Sequence, residues 1–129
     1  MQQLTSAETN LLRSLWSLGT ATIRELAMDV YGHDDDSKTA SVQKLLSRMQ
    51  AKGFVEKESG QRPQAFRAVP SEQEFLQRQL QHLAAEHCDG NLIPLATALL
   101  TTKGLKKRQR QKLRALVDEL FPESESSGD

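Results

Sequence analysis

The sequence predicts a mainly α protein with a small β-hairpin wing: a winged helix-turn-helix followed by a C-terminal helical dimerisation arm. Three observations carry that expectation. Apolar residues recur at helical spacing in six separate segments. Two short alternating runs flank a Gly/Pro turn directly behind the third of them. The third segment, Ser37 to Gly53, is two-sided: Val42, Leu45, Leu46 and Met49 fall at i, i+3, i+4 and i+7. Its opposite face carries Ala40, Lys44, Ser47, Arg48 and Ala51, with Ser41 and Gln43 beside it and no carboxylate.

The first helix opens at Leu4-Thr5-Ser6-Ala7-Glu8, where Thr5 and Glu8 have capping-box spacing. Leu11, Leu12, Leu15, Trp16 and Leu18 form its stripe, so Trp16 reads as core rather than as a ligand-stacking ring. Thr20-Ala21-Thr22 is short and β-tolerant, and Thr22 caps a second helix from Ile23 to Tyr31, stopped at Gly32. His33-Asp34-Asp35-Asp36 reads as a solvated loop that feeds acid toward the next helix N-terminus, not as a metal cluster, because consecutive residues do not converge on one ion.

The third helix is expected over about 38–52, capped by Ser37 or Thr39. Gly53 sits where a left-handed residue ends it, with Phe54 as the apolar contact beyond. Val55 to Ser59 and Ala65 to Val69 alternate around Gly60-Gln61-Arg62-Pro63, giving a wing over about 55–69 with Gln61 and Arg62 at its tip. Ser71 caps a fourth helix carrying Phe75, Leu76, Leu80, Leu83, Ala84 and His87, broken at Asp89-Gly90-Asn91. Leu92 to Thr101 is nearly all apolar, too short to cross a membrane and too oily to face water. The last helix, about Lys106 to Phe121, has a Leu113, Leu116, Val117, Leu120, Phe121 stripe and a cation-rich first half. The expected divisions are 1–70 for the winged helix, 71–122 for the dimerisation arm and 123–129 for a disordered tail.

The 129 residues fit one compact domain, or a small domain with an oligomerisation arm. The formal net charge is zero, which alone argues against a polyanionic partner. The distribution reverses that: from Lys38 to Arg67 seven cations face only Glu56 and Glu58. Small residues let a helix approach a groove, cations meet phosphates, and Gln, Ser and Lys reach base edges. The third helix therefore reads as a DNA recognition helix.

Cys88 is alone, which excludes an internal disulfide and a multi-cysteine metal site. His82, His87 and Cys88 lack the spacing that gathers ligands on one helix face, so neither metal nor cofactor is expected. No Gly-rich phosphate loop, nucleophile elbow or helix-borne carboxylate pair occurs, and no enzyme is expected. No signal peptide or bilayer-spanning run is read, so the expected location is the cytoplasm, without a membrane partner.

Leu4-Thr5-Ser6-Ala7-Glu8, Leu15-Trp16, Ala21 to Leu26, Ser41 to Met49 and Lys52-Gly53-Phe54-Val55 together resemble the penicillinase-repressor family of β-lactamase, methicillin-resistance and copper-responsive repressors. The resemblance runs from about Leu4 to Leu120. It implies an N-terminal winged helix, a homodimer through C-terminal helices, and a dyad operator bound to block transcription. The family's Thr-Val-x-Thr block, which faces the major groove, stands here as Ser41, Val42, Gln43 and Lys44. Lys44 in place of Thr favours guanine O6/N7 or a phosphate. Arg48 matches the family's Arg, implying a phosphate clamp.

The β-lactamase branch is inactivated by cutting an Asn-Phe bond in the fifth helix. The corresponding place here reads Thr97-Ala98-Leu99-Leu100, and the copper branch's C-terminal cysteines are absent. The Asn-Phe pair is missing at that place, so the inducing input is left open between a sensor protease and an unknown effector.

The expected DNA-binding residues are Lys38, Thr39, Ala40, Ser41, Gln43, Lys44, Ser47, Arg48, Lys57 and Arg62. Dimerisation is expected through Leu76, Leu80, Leu83, Leu92, Leu95, Leu99, Leu113, Leu116, Val117 and Leu120. Two other readings fit the same residues: a winged-helix module that docks a protein, and a ligand-sensing regulator with a pocket between its halves.

Overall fold

The computed structural model describes residues 3–123. Among them are six helices and three strands, in the order α1 (Ser6–Leu18), β1 (Thr20–Thr22), α2 (Ile23–Tyr31), α3 (Asp36–Ala51), β2 (Val55–Glu58), β3 (Ala65–Ala68), α4 (Glu72–His87), α5 (Ile93–Thr101) and α6 (Lys107–Leu120). All but Glu123 of the tail expected over 123–129 lies outside the described residues. The chain falls into two compact units, Met1–Gln77 and Arg78–Asp129.

The first unit is a mainly helical layer closed by a small antiparallel sheet, consistent with a winged helix-turn-helix. Three helix starts are fixed by side chains reaching back to orphan amides. Thr5 and Glu8 form a reciprocal capping box at α1, Thr22 and Glu25 at α2, and Ser71 and Glu74 at α4. At α3 the cap is Asp35, whose Oδ1 accepts the Lys38 N–H at 2.9 Å. The helix therefore begins at Asp36, ahead of the expected 38, and neither Ser37 nor Thr39 caps it. The reason is electrostatic as well as geometric: Asp35 and Asp36 lie against the positive end of the helix dipole. The acidic loop is otherwise held locally, Asp34 pairing with Arg24 at 3.4 Å.

The wing is broader than a hairpin. Thr20–Thr22 adds a third strand, giving the sheet order β1-β3-β2 with Ala21 opposite Phe66 and Lys57 also opposite Phe66. As the middle strand, β3 buries Ala65 and Phe66 in succession instead of alternating. At the tip, Gln64 donates to the carbonyls of Glu58 and Ala65, and the Arg62–Pro63 bond is cis.

The core joins α1, α2, α3 and the sheet through Leu11, Leu12, Leu15, Leu26, Val42, Leu46, Met49, Phe54 and Val55. Trp16 packs against it, its ring centroid 5.5 Å from Phe75, while its indole N–H donates to the Pro70 carbonyl at 3.0 Å. Phe75 also meets Phe54 edge-on, so the first turns of α4 belong to this unit.

In the second unit α4 ends at a turn in which the Ala84 carbonyl accepts the N–H groups of Cys88 and Gly90. Asn91 Oδ1 accepts the Ile93 N–H at the start of α5. Neither α5 nor α6 has a fully buried residue. A groove of about 550 Å³ between them is lined by Ala96, Leu99, Leu100, Leu113 and Val117, with Arg110, Arg114 and Asp118. No helix among the described residues is long and apolar enough to cross a membrane.

Candidate nucleic-acid interface

The site is the outward face of α3 with the wing beside it. Val42, Leu46 and Met49 are buried and Leu45 is half-buried, which fixes the rotation of the helix about its own axis. Ala40, Ser41, Gln43, Lys44, Ser47 and Arg48 are all left exposed. The helix is stopped by a Schellman turn: Phe54 N–H donates to Met49 O at 2.9 Å and Gly53 N–H to Gln50 O at 3.1 Å. Gly53 sits at φ 84°, which L-residues rarely adopt.

Two of the ten expected residues are half-buried. Lys38 stands over the Tyr31 ring, its Nζ 5.2 Å from the centroid. The Thr39 hydroxyl lies within 3.2 Å of the Asp35 and Asp36 carbonyls. Lys57 on β2 and Arg62 at the wing tip are exposed. Gln43, Ser47 and Lys57 come together on a recess of about 210 Å³, floored by Ile23, Leu46 and Phe66. The same recess is lined by Gln50 and Gln64, which reading the sequence missed. For Gln50 a signal was available, since Gln43, Ser47 and Gln50 follow one another at i, i+4 and i+7. For Gln64 there was none, because only the wing's fold brings it across.

The charge of this region sorts itself. Arg67 pairs with both Glu56 and Glu58 on the neighbouring strand, removing the two acids of the stretch. Lys52 is withdrawn as well: its Nζ lies 2.7 Å from Glu8 Oε1 and 3.1 Å from the Gln3 carbonyl. Lys38, Lys44, Arg48, Lys57 and Arg62 keep no ion pair among the described residues. These are the cations on the α3 face and the wing.

Glu8 is 0% exposed. Burial opposes its ionisation, but hydrogen bonds from Lys52 and Thr5 outweigh that and hold its carboxyl below the usual carboxylate range. The pair ties the first turn of α1 to Lys52, the C-cap residue of α3, so the end of the exposed helix is anchored to the scaffold.

The ten residues expected to dimerise lie on α4, α5 and α6 and at the α5 cap, Leu92. Leu95 and Leu113 are half-buried and the other eight are exposed, Leu99 at 50% and Leu120 at 58%. His82 pairs with Glu86 at 3.0 Å, and no group of metal-ligating side chains gathers among the described residues.

Compared with curated proteins, the chain finds no match. The model of the family described as Penicillinase repressor matches residues 4–119, which reaches into both units and covers every element but the last residue of α6. The chain belongs to the penicillinase-repressor family.

Proposed function

We propose that the chain is a dimeric transcriptional repressor that binds a dyad-symmetric operator, with α3 in the major groove and the wing along the backbone. The observation that carries this is the face of α3: six exposed residues that are small, hydroxylic, amide-bearing or cationic, on a helix whose other side is locked into the core. Membership of a repressor family supports it. A rigid helix presented this way can enter a groove about 12 Å wide without first giving up its own packing. Lys44 and Gln43 are the base-reading candidates, Ser41 and Ser47 allow close approach, and Arg48, Lys57 and Arg62 neutralise phosphates.

Dimerisation follows from the apolar surface that the second unit leaves open. Leu80, Leu83, Leu99, Leu116 and Leu120 on one chain are covered by the same residues of a second copy. Two recognition helices then address half-sites one helical turn, about 34–36 Å, or a multiple of it apart.

The test is binding to duplex from the chain's own promoter region against random duplex, followed by anisotropy across a salt series. Expected are a footprint with two-fold symmetry and an affinity that falls linearly in log–log form as salt rises. Lys44→Ala should cost about 1–3 kcal/mol and relax choice at one base pair, whereas Arg62→Ala should weaken all sequences alike. Equal affinity for promoter and random duplex at every salt concentration would overturn the reading.

A further inference from the structure

The first half of α6 has no place in the function proposed above. Between Asp89 and Asp118 the chain contains no carboxylate, yet Lys106, Lys107, Arg108, Arg110, Lys112 and Arg114 crowd nine consecutive positions. All six are exposed, and none forms an ion pair among the described residues. Lys106, Lys107, Arg108 and Arg110 also lie at or within the first turn of the helix, where cations are disfavoured by the dipole. The start of the helix supplies little in return, only a 3.3 Å bond from the Lys106 N–H to Gln109. Local structure thus gives no reason for this charge.

We infer that the segment Lys106–Arg114 is a second, sequence-independent contact for the phosphate backbone of duplex DNA. The shape of the charge selects the ligand. Lys107, Arg110 and Arg114 recur at i, i+3 and i+7 and line one shallow recess along the helix. At 1.5 Å per residue this row spans about 10 Å. A small anion needs donors that converge, whereas a duplex offers one charge per roughly 1.7 Å of axis and matches a linear row. An anionic bilayer is disfavoured by the same segment. From Lys106 to Lys112 there is no apolar side chain to enter the headgroup boundary, the stripe beginning only at Leu113. The inference rests on the DNA-binding reading of α3, but the two stand on different residues and fail separately.

The experiment uses the full chain with Lys107→Gln, Arg110→Gln and Arg114→Gln together, the three cations of the row, two of which also border the groove between α5 and α6, so sedimentation is run on the same sample. Gln keeps the helix propensity of Lys and Arg. Anisotropy against random duplex between about 50 and 200 mM salt should show the log–log slope shrinking by about 2–3 for each chain whose α6 meets the duplex, with affinity at least about tenfold weaker at the low-salt end. The preference for promoter over random duplex should be retained, and the mass in sedimentation should equal the wild type's. The charge-keeping variant Lys107→Arg/Arg110→Lys/Arg114→Lys should restore the slope. Lys44→Gln/Arg48→Gln, run beside them, should lose promoter preference yet keep the α6-dependent binding to random duplex. A triple-Gln variant with wild-type slope and affinity overturns the inference and leaves the α3 reading intact. So does a charge effect seen on phosphatidylcholine–phosphatidylserine vesicles but not on duplex. A wild-type chain that binds neither duplex overturns both readings.

Discussion

A single ion pair, Glu8 with Lys52, shows how one residue serves two ends of the scaffold. Glu8 closes the capping box of α1 and, from the same oxygen, holds Lys52 at the end of α3. The Lys52 side chain is 21% exposed, so its removal leaves a fully buried carboxylate with its main counter-charge gone. Lys52→Met should therefore destabilise the fold by about 3 kcal/mol, the lower end for breaking a buried pair, measured by urea unfolding. The pH dependence has a definite sign. The carboxyl is held below its ordinary value of 4.5, so the folded state binds fewer protons and the pair's contribution is complete above that pH. It is lost as pH falls below about 4.5 and through the depressed folded value. The stability gap between wild type and Glu8→Gln should be widest near neutrality and narrow in acid, and a gap that widened in acid would contradict the assignment.

At the scale of the element, α3 is defined by its two ends. Asp35 starts it, Gly53 stops it, and the buried triad Val42, Leu46 and Met49 sets which side faces out. A Cβ added at Gly53 would meet nothing within 4 Å, so the cost of a side chain there is conformational alone. Gly53→Ala should lose about 1–2 kcal/mol of stability, with Gly53→Asn milder because Asn enters the left-handed region more readily. Thermal unfolding of the two variants checks the order. Equal losses would contradict the assignment of the cost to the left-handed backbone conformation.

For the whole molecule, the apolar residues exposed on α4, α5 and α6 are the surface that calls for a cover. A helix pair with Leu99 and Leu120 half or more exposed is poorly matched to water, and a second copy is the proposed cover. Leu99→Glu/Leu120→Glu should sediment as one chain at concentrations where the wild type sediments as two. Operator binding should fall steeply, since each half-site is then bound alone. Wild-type sedimentation as one chain would remove the dimer from the proposal and leave the winged unit as it stands.

Much of this was legible in the chain itself. The caps at Thr5, Thr22 and Ser71, the stop at Gly53 and the two faces of α3 are local, decided by residues within one or two turns of each other. The same locality made Asp35 hard to choose, because Asp35, Ser37 and Thr39 are all competent caps and lie within one turn. Pairings across long separations were not legible. Thr20–Thr22 joins a sheet whose central strand is more than forty residues away, Lys52 crosses to Glu8, and Arg67 cancels Glu56 and Glu58. The net positive charge of Lys38 to Arg67 matches the sign of the α3 and wing face, but two of its cations, Lys52 and Arg67, are withdrawn from that face by the fold. Periodicity and capping are properties of a segment and could be settled by the sequence. Which cations stay free for a partner depends on which carboxylates are folded against them, and that only the tertiary structure decided.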